Sequence, residues 1–193
     1  MKRYLKIFHT ARLMLMFGDG TTIAKYIKKH NIFGSVGRDC SISVRRLPIY
    51  PQLVYIHDNV RIASDVRFTV HDGIHRMLNK KYHNSIFVEK IGCIEIMNNV
   101  FVGSGCKILY NTRIGNNVII GSGSLVNKDI PDNCVYAGVP ARYICSFDEY
   151  VEKSERWSEK FKQTYGIDCI NGVDDSLAKE IYKNFLNEKL NKE

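Results

Sequence analysis

The chain has 193 residues, 45% of them hydrophobic, and a formal net charge of +8. That size suits one domain with modest additions at its ends, with enough apolar residues for a sizeable core. No run approaches the roughly 18 apolar residues that a membrane span needs, and no nucleic-acid-binding motif accompanies the positive charge. The most apolar N-terminal run, Leu13 to Phe17, is too short for a secretory core, so a cytoplasmic location is expected. The cysteines, Cys40, Cys93, Cys106, Cys134, Cys145 and Cys169, are scattered with no CxxC pair. Without a secretory signal this argues against disulfides.

Residues 1–31 read as a helical N-terminal segment. Tyr4, Ile7, Phe8, Ala11 and Leu15 share one face of a helix predicted over residues 3–17. Seven basic residues (Lys2, Arg3, Lys6, Arg12, Lys25, Lys28 and Lys29) stand against Asp19 in residues 1–30. Such a balance can favour a phosphorylated ligand, and a basic amphipathic helix can rest weakly on an anionic membrane surface. The simpler expectation is that Tyr4, Ile7, Phe8 and Ala11 pack on the rest of the protein and the lysines face water.

Residues 32–145 carry a six-residue repeat. Ile96, Val102, Ile108, Ile114, Ile120 and Val126 are all aliphatic, and two residues before each stand Ile94, Val100, Cys106, Thr112, Val118 and Ser124. Upstream, Ile56, Ile62 and Phe68 follow Val54, Val60 and Val66 in the same way, with weaker traces at Val36 and Ile42. A helix would rotate such positions around its axis. A solenoid explains them: each hexapeptide makes a short strand and a corner, and three of them close a triangular coil of eighteen residues that stacks on the next. Asn98-Asn99 and Asn116-Asn117, with Gly103, Gly115 and Gly121, suit corners with positive φ. Cys106 falls on an inward position and is expected to be a small buried hydrophobe.

The repeat stops after Phe68 and resumes at Ile94, leaving an insertion, TVHDGIHRMLNKKYHNSIFVEKIGC, at residues 69–93. Solenoid insertions become loops on one face, often the binding face. This one holds His71, His75 and His83. A histidine whose free pKa is near 6.5 suits proton transfer at neutral pH. Asp72 can orient an imidazole or accept a hydrogen bond from a substrate, although Asp before Gly is also a plain turn signal. Tyr82 and His83 are possible loop contacts of a kind common on any surface.

Residues 146–193 read as a C-terminal helical extension. Tyr150, Ser154, Trp157 and Phe161 form one stripe, Leu177, Ile181 and Phe185 another, and Asp174 or Ser176 is placed to cap the last helix. Both flanks are expected to cover the solenoid's ends, where strand edges would otherwise be unpaired.

The tract VGSGCKILYNTRIGNNVIIGSGSLVNKDIPDNCVYAGVPAR, residues 102–142, resembles the C-terminal coils of the hexapeptide-repeat acyltransferases, the sugar O-acetyltransferases in particular. The resemblance covers roughly residues 32–145. It implies a mainly β fold, a left-handed parallel β-helix, and a homotrimer. It also implies acetyl-CoA as acyl donor, no metal, and direct transfer to the hydroxyl of a saccharide or sugar-nucleotide acceptor. A loop histidine is the general base in this family. That role falls on His71, with His75 the next candidate and Asp72 beside the acceptor. Ser104 and Ser122 then lie along the pantetheine arm, Asn127 and Lys128 just before DIP, and Arg142 near the phosphates, which need cations. Cys145 stands close to where a basic residue is usual. Backbone N–H groups of a tight coil can serve the oxyanion.

Three other readings stand beside this one. N-acetylation of a nucleotide-linked amino sugar needs the same base. A non-catalytic solenoid would serve as a scaffold. A zinc enzyme resembling the solenoid carbonic anhydrases would need histidines on successive coils, where the repeats here offer only His57.

Overall fold

The computed structural model describes residues 3–16, 18–166 and 172–190. In it the hexapeptides become strands of two to five residues that the chain lays down on three faces in rotation. The first face holds β1 (Ser35–Val36), β3 (Val54–Ile56), β6 (Ile94–Ile96) and β9 (Thr112–Ile114). The second holds β2 (Ser41–Ile42), β4 (Val60–Ile62), β7 (Val100–Val102), β10 (Val118–Ile120) and β12 (Cys134–Ala137). The third holds β5 (Arg67–Thr69), β8 (Lys107–Leu109) and β11 (Leu125–Val126). All of these pair in parallel, and β13 (Arg142–Ser146) returns antiparallel along β12 to end the second face. The registers Ile94↔Thr112, Val100↔Val118 and Lys107↔Leu125 show the eighteen-residue coil directly.

Residues i and i+2 of a strand point the same way, and both sets of the repeat point inward. Ile96, Val102, Ile108, Ile114, Ile120 and Val126 are fully buried, as are Ile94, Val100, Cys106, Val118 and, nearly so, Thr112 and Ser124. Burial pushes the Cys106 thiol pKa up, and its Sγ donates to the Gly121 carbonyl at 3.1 Å.

One corner is a pair of side-chain ladders. Asn59, Asn99, Asn117 and Asn133 all have φ between 53° and 58°, a left-handed conformation that Asn tolerates. Each amide donates to the next, at 3.0, 2.9 and 2.7 Å. The residues just before them repeat the device. Asn98, Asn116 and Asp132 accept from the backbone N–H of Asp58, Asn98 and Asn116. Gly103, Gly115 and Gly121 depart from expectation, for none has a positive φ. They are glycines because successive coils touch there. A Cβ would lie 2.5 Å from the Ser122 nitrogen, 2.7 Å from the Asp132 nitrogen and 2.8 Å from the Ala137 Cβ, respectively. Positive φ belongs instead to Gly105 (72°) and Gly123 (73°), in the corner between the second and third faces that also holds Gly103 and Gly121.

The insertion lengthens one coil, so that Val54 pairs with Ile94, forty residues on. Its two ends zip together: Asp72 N–H donates to Lys90 O and Gly92 N–H to Val70 O, both at 3.0 Å, with an antiparallel bridge between His71 and Ile91. The tip contains α3 (Ile74–Lys81). Asn79 closes it by donating to Phe87 O at 2.8 Å and accepting from Phe87 N–H at 3.0 Å.

Before the coils come α1 (Arg3–Leu15) and α2 (Gly20–Lys29), the latter capped by Asp19. α2 buries Ile23, Ala24 and Ile27 in one cluster with Ile42 and Val44, covering the first coil as expected. α1 does not follow the expectation. Ile7, Phe8 and Leu15 are 62%, 61% and 76% exposed, and Ala11 is exposed too. The Tyr4 side chain lies outside the described part. The inward face is His9 and Leu13, with Met16 partly buried just beyond the helix. Arg45 anchors the helix end by donating to Leu13 O and Met16 O at 2.7 and 2.8 Å. His9 accepts or donates to the Tyr26 hydroxyl at 2.9 Å, and burial followed by the His30 charge lowers its pKa.

The chain divides into two units, residues 1–150 and 151–193. α4 (Phe147–Tyr165) begins with a capping box in which Ser146 and Glu149 exchange side-chain to backbone bonds. In the second unit, Trp157, Phe161 and Tyr165 stack with ring centroids 5.0 and 4.6 Å apart. Asp174 caps α5 (Asp175–Leu190), accepting from Leu177 N–H and from the Ser176 hydroxyl. Leu177 is buried and Phe185 is half exposed. Among the described residues the five α-helices hold more of the chain than the strands do, so "mainly β" describes the prism alone. None of the described helices is long and apolar enough to cross a membrane. Cys169 lies outside the described residues.

Replacing Gly103 by Ala puts a methyl group against the next coil's backbone. The expected result is a stability loss of about 1–3 kcal/mol, read as a lower Tm. An unchanged Tm would mean that the coils separate freely there.

Candidate active site

The stem of the insertion holds His71 just past the end of β5, at the edge where the third face turns back to the first. Its imidazole is about a quarter exposed. Nε2 lies 3.8 Å from Glu89 Oε1, and the Tyr50 ring meets it edge-on with centroids 5.7 Å apart. The Tyr50 hydroxyl donates to the other Glu89 oxygen at 2.9 Å. That bond raises the Tyr50 pKa. Three segments therefore converge: the chain before β3, the start of the insertion, and its end. At 3.8 Å the Glu89 contact is too long for a hydrogen bond.

Asp72, the neighbouring residue, is not directed at this imidazole. One oxygen accepts from the Tyr110 hydroxyl at 2.8 Å and the other from Ile74 N–H at 3.1 Å, at the start of α3. The Tyr110 bond is the main cause of a carboxyl pKa below the usual range, and it raises that of Tyr110 in turn. His75 sits on α3 with Nδ1 buried and without a hydrogen-bond partner among the described residues. Tyr82 and His83 are exposed at the end of the same helix, His83 with φ 50°. Tyr50, Glu89 and Tyr110 were not singled out from the sequence. Tyr110 alone carried a signal, since the forty-residue offset that pairs Thr69 with Leu109 sets it beside Val70.

The other expected site residues fall into two groups. Asn127 and Lys128 are exposed just after β11, on the same edge of the third face as His71. Ser104 and Ser122 lie on the opposite edge, where the second face turns into the third. There Gly105 N–H and the Ser104 hydroxyl both donate to Ser64 O, and Gly123 N–H donates to Ser104 O, so the three serines form one ridge. Arg142 opens β13 opposite Ala137, next to this ridge, because Ala141 N–H donates to Leu125 O at 2.8 Å. A strand and its two corner residues separate the edges by roughly 10–13 Å. Within one chain, then, the histidine and the serine ridge do not meet. Among the described residues no three of His, Cys, Asp or Glu gather as a metal would need, and His57 is bonded to Glu95 at 2.9 Å.

Residues 94–128 match the bacterial transferase hexapeptide family (six repeats). Protein CapG of Staphylococcus aureus is 42% identical over 121 residues, 61% of this chain and 69% of that protein. The chain belongs to the hexapeptide-repeat transferase family. Galactoside O-acetyltransferase of Escherichia coli (strain K12) is 39% identical over 110 residues, 56% of this chain, and the match spans only 52% of that enzyme. Among solved structures, a maltose O-acetyltransferase from Clostridium difficile 630 superposes with a TM-score of 0.58 at 27% identity, covering 75% of this chain and 85% of the other. A galactoside acetyltransferase in complex with coenzyme A shares the fold, with a TM-score of 0.55 at 24% identity over 78% of this chain and 82% of that one.

In this hexapeptide-repeat transferase, replacing Tyr110 by Phe should raise the Asp72 carboxyl toward the ordinary carboxylate range. Asp72 favours the folded state above its unfolded pKa and loses that contribution as pH falls through its lower folded value. In the Phe variant the contribution should be smaller, and its loss should be complete at a higher pH. NMR titration of the Asp72 carboxyl measures the shift, and an unmoved midpoint would assign its cause elsewhere.

Proposed function

We propose that the protein is an acetyl-CoA-dependent O-acetyltransferase acting on a saccharide, built on a left-handed coil, with His71 as general base. The observation that carries this reading is the placing of His71 by Glu89 and Tyr50 in the insertion of a hexapeptide solenoid. With Nε2 turned toward Glu89, Nδ1 is the nitrogen left for the acceptor. It takes the hydroxyl proton as the oxygen bonds to the acyl carbon, and the proton then passes to the departing thiolate. Glu89 stabilises the imidazolium in between, and Tyr50 holds Glu89 in place. The named activities of the galactoside and maltose O-acetyltransferases support a sugar hydroxyl as acceptor.

The division of the site residues between two edges supports a shared site. In this reading three chains associate, and the ridge of Ser104 and Ser122 on one prism faces the His71 edge of its neighbour. The acyl donor lies in the cleft, with Asn127, Lys128 and Arg142 toward its phosphates. Three active sites result, each incomplete in a single chain.

His71→Ala is expected to lower turnover by about 10²–10⁴-fold with coenzyme A binding retained. Mass spectrometry of candidate saccharides after incubation with acetyl-CoA reads it out. Near-full turnover would remove His71 from the chemistry, and coenzyme A binding without any transfer would favour a scaffold. Light scattering at micromolar concentration should report three chains, and a fully active monomer would refute the shared site.

A further inference from the structure

Transfer at His71 leaves one concavity of the first unit unexplained. A cavity of about 440 Å³ opens where the turn between α1 and α2 meets the first coils. Arg45, Arg46 and Arg67 line it, with Ser64 between them and Asp19 and Asp65 at its wall. Two of these charges are already engaged. Asp19 accepts from Thr22 N–H and the Thr22 hydroxyl, and Arg45 holds the end of α1. Arg46 and Arg67 are exposed and have no carboxylate partner among the described residues. Counted in full, the cavity sets three arginines against two carboxylates, Asp19 and Asp65, a net excess of one positive charge.

Arg67 has a second unfavourable neighbour. In the register of β5 and β8 it stands directly beside Lys107, one strand spacing of about 4.8 Å away. Like charges so paired destabilise a sheet unless an anion lies over them. A guanidinium presents its donors in a fork that fits phosphate oxygens.

Position then says what the anion belongs to. Ser64 O accepts from the Ser104 hydroxyl and from Gly105 N–H. The cavity thus continues the ridge of Ser104 and Ser122 toward the N-terminal coils, away from Lys128 and Arg142. In the shared site proposed above this ridge faces the His71 edge of a neighbouring chain, and the cavity continues it.

We propose that this cavity binds a phosphate or pyrophosphate group of the acceptor, held by Arg46 and Arg67, so that the acceptor is a phosphorylated saccharide. This rests on the transferase reading above. The donor's own phosphates are the competing source of the same chemistry, and the test separates the two.

Isothermal titration calorimetry uses inorganic pyrophosphate and coenzyme A as probes, on the wild type, on Arg46→Gln/Arg67→Gln and on Arg142→Ala. Both arginines of the pair are exposed, and a thermal melt verifies that the double variant folds. Pyrophosphate is expected to bind the wild type, with or without saturating coenzyme A. Its affinity should fall at least about tenfold in the double variant, as loss of two charge-assisted contacts requires. Coenzyme A affinity should be unchanged by that pair and lowered by Arg142→Ala. No pyrophosphate binding, or equal binding to the double variant, overturns the proposal. Displacement by coenzyme A, with coenzyme A itself weakened in the double variant, also overturns it and assigns the cations to the donor. A wild type that fails to bind coenzyme A while still binding pyrophosphate would instead strike at the transferase reading.

Discussion

Each coil of this prism can rest on the previous one only if the chain returns to the same place after three strands and three corners. Everything else in the first unit depends on that return. Short strands bury two residues apiece, too little to be stable alone, so the core exists only as a stack. The constraint is met by hydrogen bonds at one corner and by the absence of a side chain at others. The amides of Asn59, Asn99, Asn117 and Asn133 bond each to the next, which holds successive corners in line. Gly103, Gly115 and Gly121 let the backbone of one coil touch the next. Interiors pack densely enough that even one extra methyl group there is felt.

The candidate active site arises where the return is delayed. Forty residues separate Val54 from its partner Ile94, and the excess is folded out as the insertion. The stack continues beneath it without loss of register, so the two ends of the insertion must come together, and they zip into the stem that carries His71. Rigid coils then supply the surroundings. Tyr50 precedes the coil that ends in His71, Tyr110 belongs to the following one, and each holds a carboxylate of the insertion, Glu89 and Asp72 respectively. A loop residue thereby gains the fixed geometry of a sheet, which positions its side chain more closely than a free loop would.

The uneven charge of the chain is placed with similar economy. Several basic groups close the structure itself, as Arg45 does at the end of α1 and Arg38 does with Asp58 at the first corner. Others stand on or beside the third face, among them Arg67 and Lys107, neither of which forms an ion pair among the described residues. Standing side by side, Arg67 and Lys107 concentrate positive potential there, and the next residue in the same register is the uncharged Leu125.

The sequence by itself determined the solenoid, the inward residues of each strand, the limits of the insertion, and His71 as its leading candidate base. These are local properties. The period of six is written in residues that each bury the same kind of surface, and a break in a period needs no neighbour to be seen. Only the tertiary structure decided the rest. The helix at Arg3–Leu15 offers two apolar arcs, and packing chose His9 and Leu13 over Ile7, Phe8 and Leu15. Gly103 is equally consistent with a turn or a close approach until the next coil is laid against it. Tyr50 and Glu89 lie 39 residues apart, and Asp72 and Tyr110 lie 38 apart. Nothing in either segment names its partner, because the partner is set by where the stack brings the chain back.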